Sequence, residues 1–266
     1  RYYGGDYAAA RELYEQQLAQ TRREPAALVA AAQLDWHTGN TANASALLDE
    51  AAQHRDCVAS PPFLAWVLSA RALFERDRGQ LDEAARVIER ARELSPEDAH
   101  LDQIAAEIAE LRGNDDEALH LFRQVAARTS SPQAMDGAAR ILRARGDEIA
   151  ARELVETARQ SYDAQLALFP EAAAGHAIDH WLRLESDDVD RMIEIAELNA
   201  EARPYGETRL KLAMAYLLAG RIVDARTVID AVRATEWRTP ELVLLEALTS
   251  PSDGDAQEAL ARSTEE

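Results

Sequence analysis

The stretch GQLDEAARVIERARELSP, residues 79–96, is a glycine break, a helix opened by carboxylates, and a proline stop. Glycine tolerates the left-handed backbone that ends one helix, and proline cannot continue the next. Asp82 and Glu83 fall where free amides and the positive end of the helix dipole favour negative charge. The same punctuation recurs at Gly5, Gly39, Gly79, Gly113, Gly146, Gly220 and Gly254, at intervals of 34, 40, 34, 33, 74 and 34 residues. A period of about 34 marks an array of helical hairpins.

The chain begins mid-repeat, with residues 1–24 as a partial unit whose second helix runs from Tyr7 to Gln20. Complete units follow at about 25–60, 61–96, 97–131, 132–170, 171–204 and 205–238, and a partial unit at 239–266 holds a helix from Pro240 to Thr249. Together they form a single solenoid domain. HRDCVASPP, residues 54–62, adds a loop that explains the 40-residue interval. A long helix running to Phe169, and a turn at Ser186 that lacks glycine, divide the 74-residue interval into 40 and 34.

Composition narrows the class of work. The 266 residues are 47% hydrophobic and only 6% aromatic, which suits close-packed helices. A net charge of -19 argues against a nucleic-acid partner, because binding to phosphates is driven by clustered positive charge. Lys211 is the single lysine, and Cys57, a small loop residue by this reading, is the single cysteine, so no intramolecular disulfide can form. No apolar run reaches the ~18 residues of a membrane span. This composition fits a soluble protein of the cytoplasm or periplasm equally, and the interrupted ends fit the sensor portion of a longer regulator. There is no phosphate-binding loop, no dinucleotide fingerprint and no serine with a base and an elbow, so no enzyme is expected and no cofactor.

Small residues recur at fixed offsets from the turn glycines. Seven before the turn stand Ala32, Ala72, Ala106, Ala139, Ala213 and Ala247. Five after it stand Ala10, Ala44, Ala84, Ala118, Ala151 and Ala225, each followed four later by a large residue: Tyr14, Leu48, Ile88, Phe122, Val155, Ile229. Small residues let paired helices approach, and the large one fills the groove beside them. With Pro96 closing its unit, this pattern resembles the tetratricopeptide-repeat family across essentially the whole chain.

The resemblance implies an all-α, right-handed superhelical solenoid of antiparallel hairpins. Its concave groove, lined by the first helix of each hairpin, would receive a partner peptide or helix, making the chain a non-catalytic scaffold. The transferred groove positions Val29, Gln33, Ser69, Leu73, Gln103, Glu107, Asp136 and Arg140 lack the lysine and asparagine pattern that binds chaperone tails. Uncapped ends of such an array would expose apolar surface and could self-associate.

The sixth unit breaks the pattern. Asp179 and Arg191 occupy its two small-residue positions, which predicts an ion pair buried between its helices; pairing of Asp179 with Arg183 is the plainer alternative. His176 and His180 lie four apart on one helix face, with Arg183 beside them. Arg140 and Arg143 would precede them in the groove, Glu107 and Glu110 one unit earlier, and Leu210, Met214 and Leu217 one unit later. That acidic-to-basic-to-apolar gradient suits a partner pairing an acidic residue with an aliphatic anchor. HAIDH also permits two imidazoles to share a metal, with Asp179 orienting one ring. The histidines at 37, 54, 100 and 120 read as solvated or half-buried, and the four tryptophans as packing residues or groove anchors.

Overall fold

A computed structural model of the chain describes residues 1–250, and residues 251–266, which include the expected remnant after Gly254, lie outside it. Among the described residues there are fifteen α-helices and no strand. After a short 3-10 turn at Tyr2–Gly4 come α1 (Tyr7–Gln20), α2 (Pro25–His37), α3 (Thr41–Gln53), α4 (Arg55–Ala59) and α5 (Pro61–Asp77). Then follow α6 (Leu81–Leu94), α7 (Ala99–Leu111), α8 (Asp115–Thr129), α9 (Pro132–Ala144) and α10 (Glu148–Leu168). The remainder are α11 (Pro170–Arg183), α12 (Val189–Ala202), α13 (Gly206–Leu218), α14 (Ile222–Arg233) and α15 (Pro240–Thr249).

The glycine turns explain this regularity. Gly39, Gly79, Gly113, Gly146 and Gly220 all adopt φ between 72° and 85°. At each, the following amide reaches five residues back, as from Gln80 N to Glu75 O at 2.9 Å and from Asn114 N to Ala109 O at 2.9 Å. These bonds satisfy carbonyls that a helix end leaves open, in a conformation that L side chains resist.

The helices fall into two compact units. One comprises Arg11–Trp36 and Asn40–Leu168. In it α5–α6, α7–α8 and α9–α10 are hairpins, α6 packs on α7 and α8 on α9, and the first helices α5, α7 and α9 neighbour one another. Ala72, Ala84, Ala106, Ala118 and Ala151 are buried in its main core beside Ile88 and Phe122. Gly137 extends the principle, since a Cβ there would stand 2.5 Å from the Phe122 ring. The other unit comprises Arg1–Ala10, His37–Gly39 and the chain from Phe169 onward. There α11–α12 and α13–α14 pair, α12 packs on α13, and α15 lies against α13 and α14. Ala247 departs from its row and is exposed.

Two departures from the sequence reading have local causes. Residues 54–62 are no simple loop: α4 is a five-residue helix started by His54, whose Nδ1 accepts from Asp56 N at 3.3 Å. It buries Cys57 in an apolar cluster with Leu48, Val67 and Phe74. That burial, with Asp56 adjacent, pushes the thiol pKa up and leaves it a poor nucleophile.

The second departure is the sixth hairpin, whose register lies one residue on from the expected one. Counting from Asp187 instead of Ser186, the crossing positions fall on His180, Met192 and Ala196, and all three are fully buried. One residue is about 100° of helix rotation. That rotation takes Asp179 and Arg191 out of the interface, and the buried pair expected there does not form. Asp179 instead meets Lys211 Nζ at 2.8 Å, while Arg191 meets Glu194 at 2.7 Å and lies over the Trp181 ring at 5.8 Å.

Candidate functional site

In the unit holding α5, α7 and α9, the first helices meet through side chains at two offsets from the turn. Six residues before it stand Glu107 and Arg140; three before it stand Arg76, Glu110 and Arg143. Arg76 Nη1 bridges to Glu107 Oε2 at 3.0 Å, joining α5 to α7. Arg140 grips Glu110 with two bonds of 2.9 and 2.7 Å, joining α7 to α9. Burial disfavours the Arg140 charge, yet Glu110, bonded to it, with Asp136 and Glu107 nearby, keeps its pKa above the ordinary arginine value. Arg76 carries the same offset as Glu110 and Arg143, the signal by which the sequence could have found it.

Gln103 sits one turn before Glu107 and donates to it from Nε2 at 3.0 Å. Its Oε1 is buried with no hydrogen-bond partner. A desolvated acceptor without a donor costs about 1–3 kcal/mol, so it is a place where a ligand's N–H is rewarded. Gln103, Glu107, Glu110 and Arg140 are therefore brought together on one face. Arg143 is exposed, on α9. Asp136, expected in the groove, is buried and accepts at 3.0 Å from the hydroxyl of Tyr162 on α10, a bond that holds it inward.

The expected residues of the other unit divide by burial. His176 and Arg183 are exposed on α11, and Met214 is half-buried on α13. His180, Leu210 and Leu217 are buried and unavailable to a partner. His180 Nε2 meets Glu185 Oε2 at 3.1 Å, so the two imidazoles of HAIDH lie in different surroundings, one enclosed and one in water. Among the described residues no group of three or more histidine, cysteine, aspartate or glutamate side chains is placed to hold a metal. Lys211 joins Asp179 to Glu207, at 2.8 and 3.4 Å; burial opposes its charge, but the two carboxylates outweigh burial and raise its pKa. No helix among the described residues is long and apolar enough to cross a membrane. Of the tryptophans, Trp181 and Trp237 are core, while Trp66 is 41% exposed and stacks on Phe63.

No family model matches this sequence, and no curated protein matches it. Solved structures do. The APC/C hetero-tetramer Cut9-Hcn1 is similar over 98% of this chain and 46% of its own, at 12% identity and a TM-score of 0.54. The fold is that of a tetratricopeptide-repeat protein. A monomeric IFIT1 mutant with Gppp-AAAA has the tetratricopeptide-repeat fold too, at 15% identity over 83% of this chain and 56% of that one, TM-score 0.50. A tetratricopeptide repeat protein from Parabacteroides merdae is similar over 85% of both chains, at 15% identity and a TM-score of 0.46. This chain spans about half the length of the Cut9-Hcn1 and IFIT1 chains that it matches. At such identities the tetratricopeptide-repeat likeness is one of fold.

Proposed function

We propose that this chain is a non-catalytic scaffold that binds an extended, basic segment of a protein partner across α5, α7 and α9. The observation that carries the reading is Gln103 Oε1, a buried acceptor without a donor, beside the Glu107 carboxylate. A lysine, an arginine or a backbone N–H of the partner would satisfy both. An acidic partner residue, expected from the sequence, would have to displace Glu110 from both its bonds to Arg140. The chain's charge of -19 attracts a basic partner from a distance and repels nucleic-acid phosphates, so the Gppp-AAAA of the IFIT1 structure is not carried over. Arg143 extends this face along α9. His176, Arg183 and Met214 are the residues of the second unit left for partner contacts.

Selection from a random peptide library on the intact chain tests this. Recovered peptides should be enriched in lysine and arginine. They should lose at least tenfold in affinity for Gln103→Ala or Glu107→Gln, and keep it for the distant Asp116→Asn. Peptides that bind all three variants as they bind the parent would refute the reading.

A further inference from the structure

Repeat arrays hold together by contacts between neighbouring units, but one cluster here joins residues far apart in sequence. Tyr7 OH accepts from the backbone N–H of Gly206 at 2.8 Å, 199 positions away. His37 O accepts from Arg238 N at 2.7 Å. Tyr2 bonds His37 Nδ1 through its hydroxyl and packs at 5.6 Å from Tyr205 and 6.4 Å from Trp237. The His37 imidazole lies on the Trp237 indole, 4.6 Å between centroids and 26° from parallel. Three glycines make the approach possible. A methyl group at Gly206 would overlap the indole, one at Gly5 would stand 2.8 Å from Pro204 O, and one at Gly39 would stand 3.3 Å from Arg238 Cβ. Tyr2, Tyr7, His37 and Trp237 are all buried in this contact.

We infer that this contact between residues 1–10 with 37–39 and residues 203–239 is a reversible latch, closed at neutral pH and released by acid through His37. The imidazole is the one buried histidine of the cluster, and the Tyr2 and Trp237 rings lie against it. Tyr2 and Tyr205 keep their protons, since burial raises both phenols. Glu207 favours a charged ring but is taken up by Tyr205 OH at 2.9 Å and Lys211 at 3.4 Å. Arg209 lies near Tyr7, and the Arg238 guanidinium is turned to Thr235 O and Trp237 O. Asp35, on the same helix as His37, is bonded to Arg11 and Asn43. Burial therefore prevails over Glu207 and lowers the His37 pKa from 6.5 to about 4. An opened latch would let the ring titrate normally. The open form then binds more protons between those two values, and closure is complete above about 6.5 and lost progressively as pH falls to about 4. Over that window the closing equilibrium shifts by roughly a hundredfold.

The Gly206 and Arg238 amides report on closure directly. Their hydrogen-exchange protection, corrected for the intrinsic pH dependence of exchange, should fall roughly a hundredfold from pH 7 to pH 4, while that of Asn114 N in the α7–α8 turn holds. In His37→Gln the two amides should stay protected throughout. Gly39→Cys with Arg238→Cys, in a Cys57→Ala background, brings two Cβ atoms near the separation a disulfide needs, and the strain at Gly39 falls on both redox forms alike. The oxidised form should keep its protection at pH 4, while the reduced form follows wild type. Flat protection in wild type, an unchanged fall in His37→Gln, a parallel loss at Asn114, or loss in the oxidised form would each overturn the latch.

Discussion

Asp102 and Asp82 make the same kind of bond and should matter very differently. Asp102 is almost wholly buried between Arg92 and Arg128, at 2.8 and 2.7 Å, and so ties α6, α7 and α8 together. Asp82 meets Arg112 at the same 2.8 Å but its side chain is 93% exposed. Removing a buried partner strands charge, whereas an exposed pair in water is worth little. Asp102→Asn should lower the unfolding free energy by about 2 kcal/mol, a figure reduced from fully buried cases because both guanidiniums reach solvent. Asp82→Asn should change it by less than about 0.5 kcal/mol. Urea titrations of the two variants check this, and equal effects would mean that burial is not what gives Asp102 its weight.

At the level of helices, the close approach of α8 to α9 rests on Gly137 facing Phe122. Gly137→Ala should cost about 1–3 kcal/mol through overpacking. In a Phe122→Leu background the same change should cost less, and a double-mutant cycle in urea would expose the coupling. Helix-level features are also where the sequence was most and least legible. Gly39, Gly79, Gly113, Gly146 and Gly220 could be read directly, because a left-handed turn leaves few residue types to choose from. ESDD at residues 185–188 gave no such anchor, and a one-residue slip there displaced Asp179, Arg191 and His180 together. Helix α4 is too short to show a period. Asp136, Leu210 and Leu217 were expected in the groove by transfer from a general pattern and are buried instead, although Gln103 holds the offset of Asp136 and Leu210, and Glu110 that of Leu217, so offset alone does not decide exposure. Gln103, Glu107, Glu110 and Arg140 do share one face, although their pairing with one another, which decides what they can offer a partner, is a matter of distances that no spacing encodes. The aromatic cluster of Tyr2, Tyr7, His37, Tyr205 and Trp237 was illegible for a similar reason, since contacts across 199 positions leave no periodic trace.

Taken as a whole molecule, the chain combines a strongly acidic composition with a face that is locally neutralised. Its 48 acidic and 29 basic side chains give the long-range field, while Arg76 and Arg140 cancel much of it beside Glu107 and Glu110. Such an arrangement should speed encounter with a basic partner and leave specificity to short-range bonds. Association rates with a selected basic peptide should therefore fall as salt rises from 50 to 500 mM, while dissociation changes far less. The most direct measurement places a photo-crosslinking side chain at Arg143, on the α9 edge of the face, or at His120, exposed on the second helix α8, and irradiates cells of the source organism. A discrete adduct with a basic protein from position 143 and none from position 120 is the expected result. Adducts from position 120 alone, or equal capture at both positions, would contradict the assignment of this face.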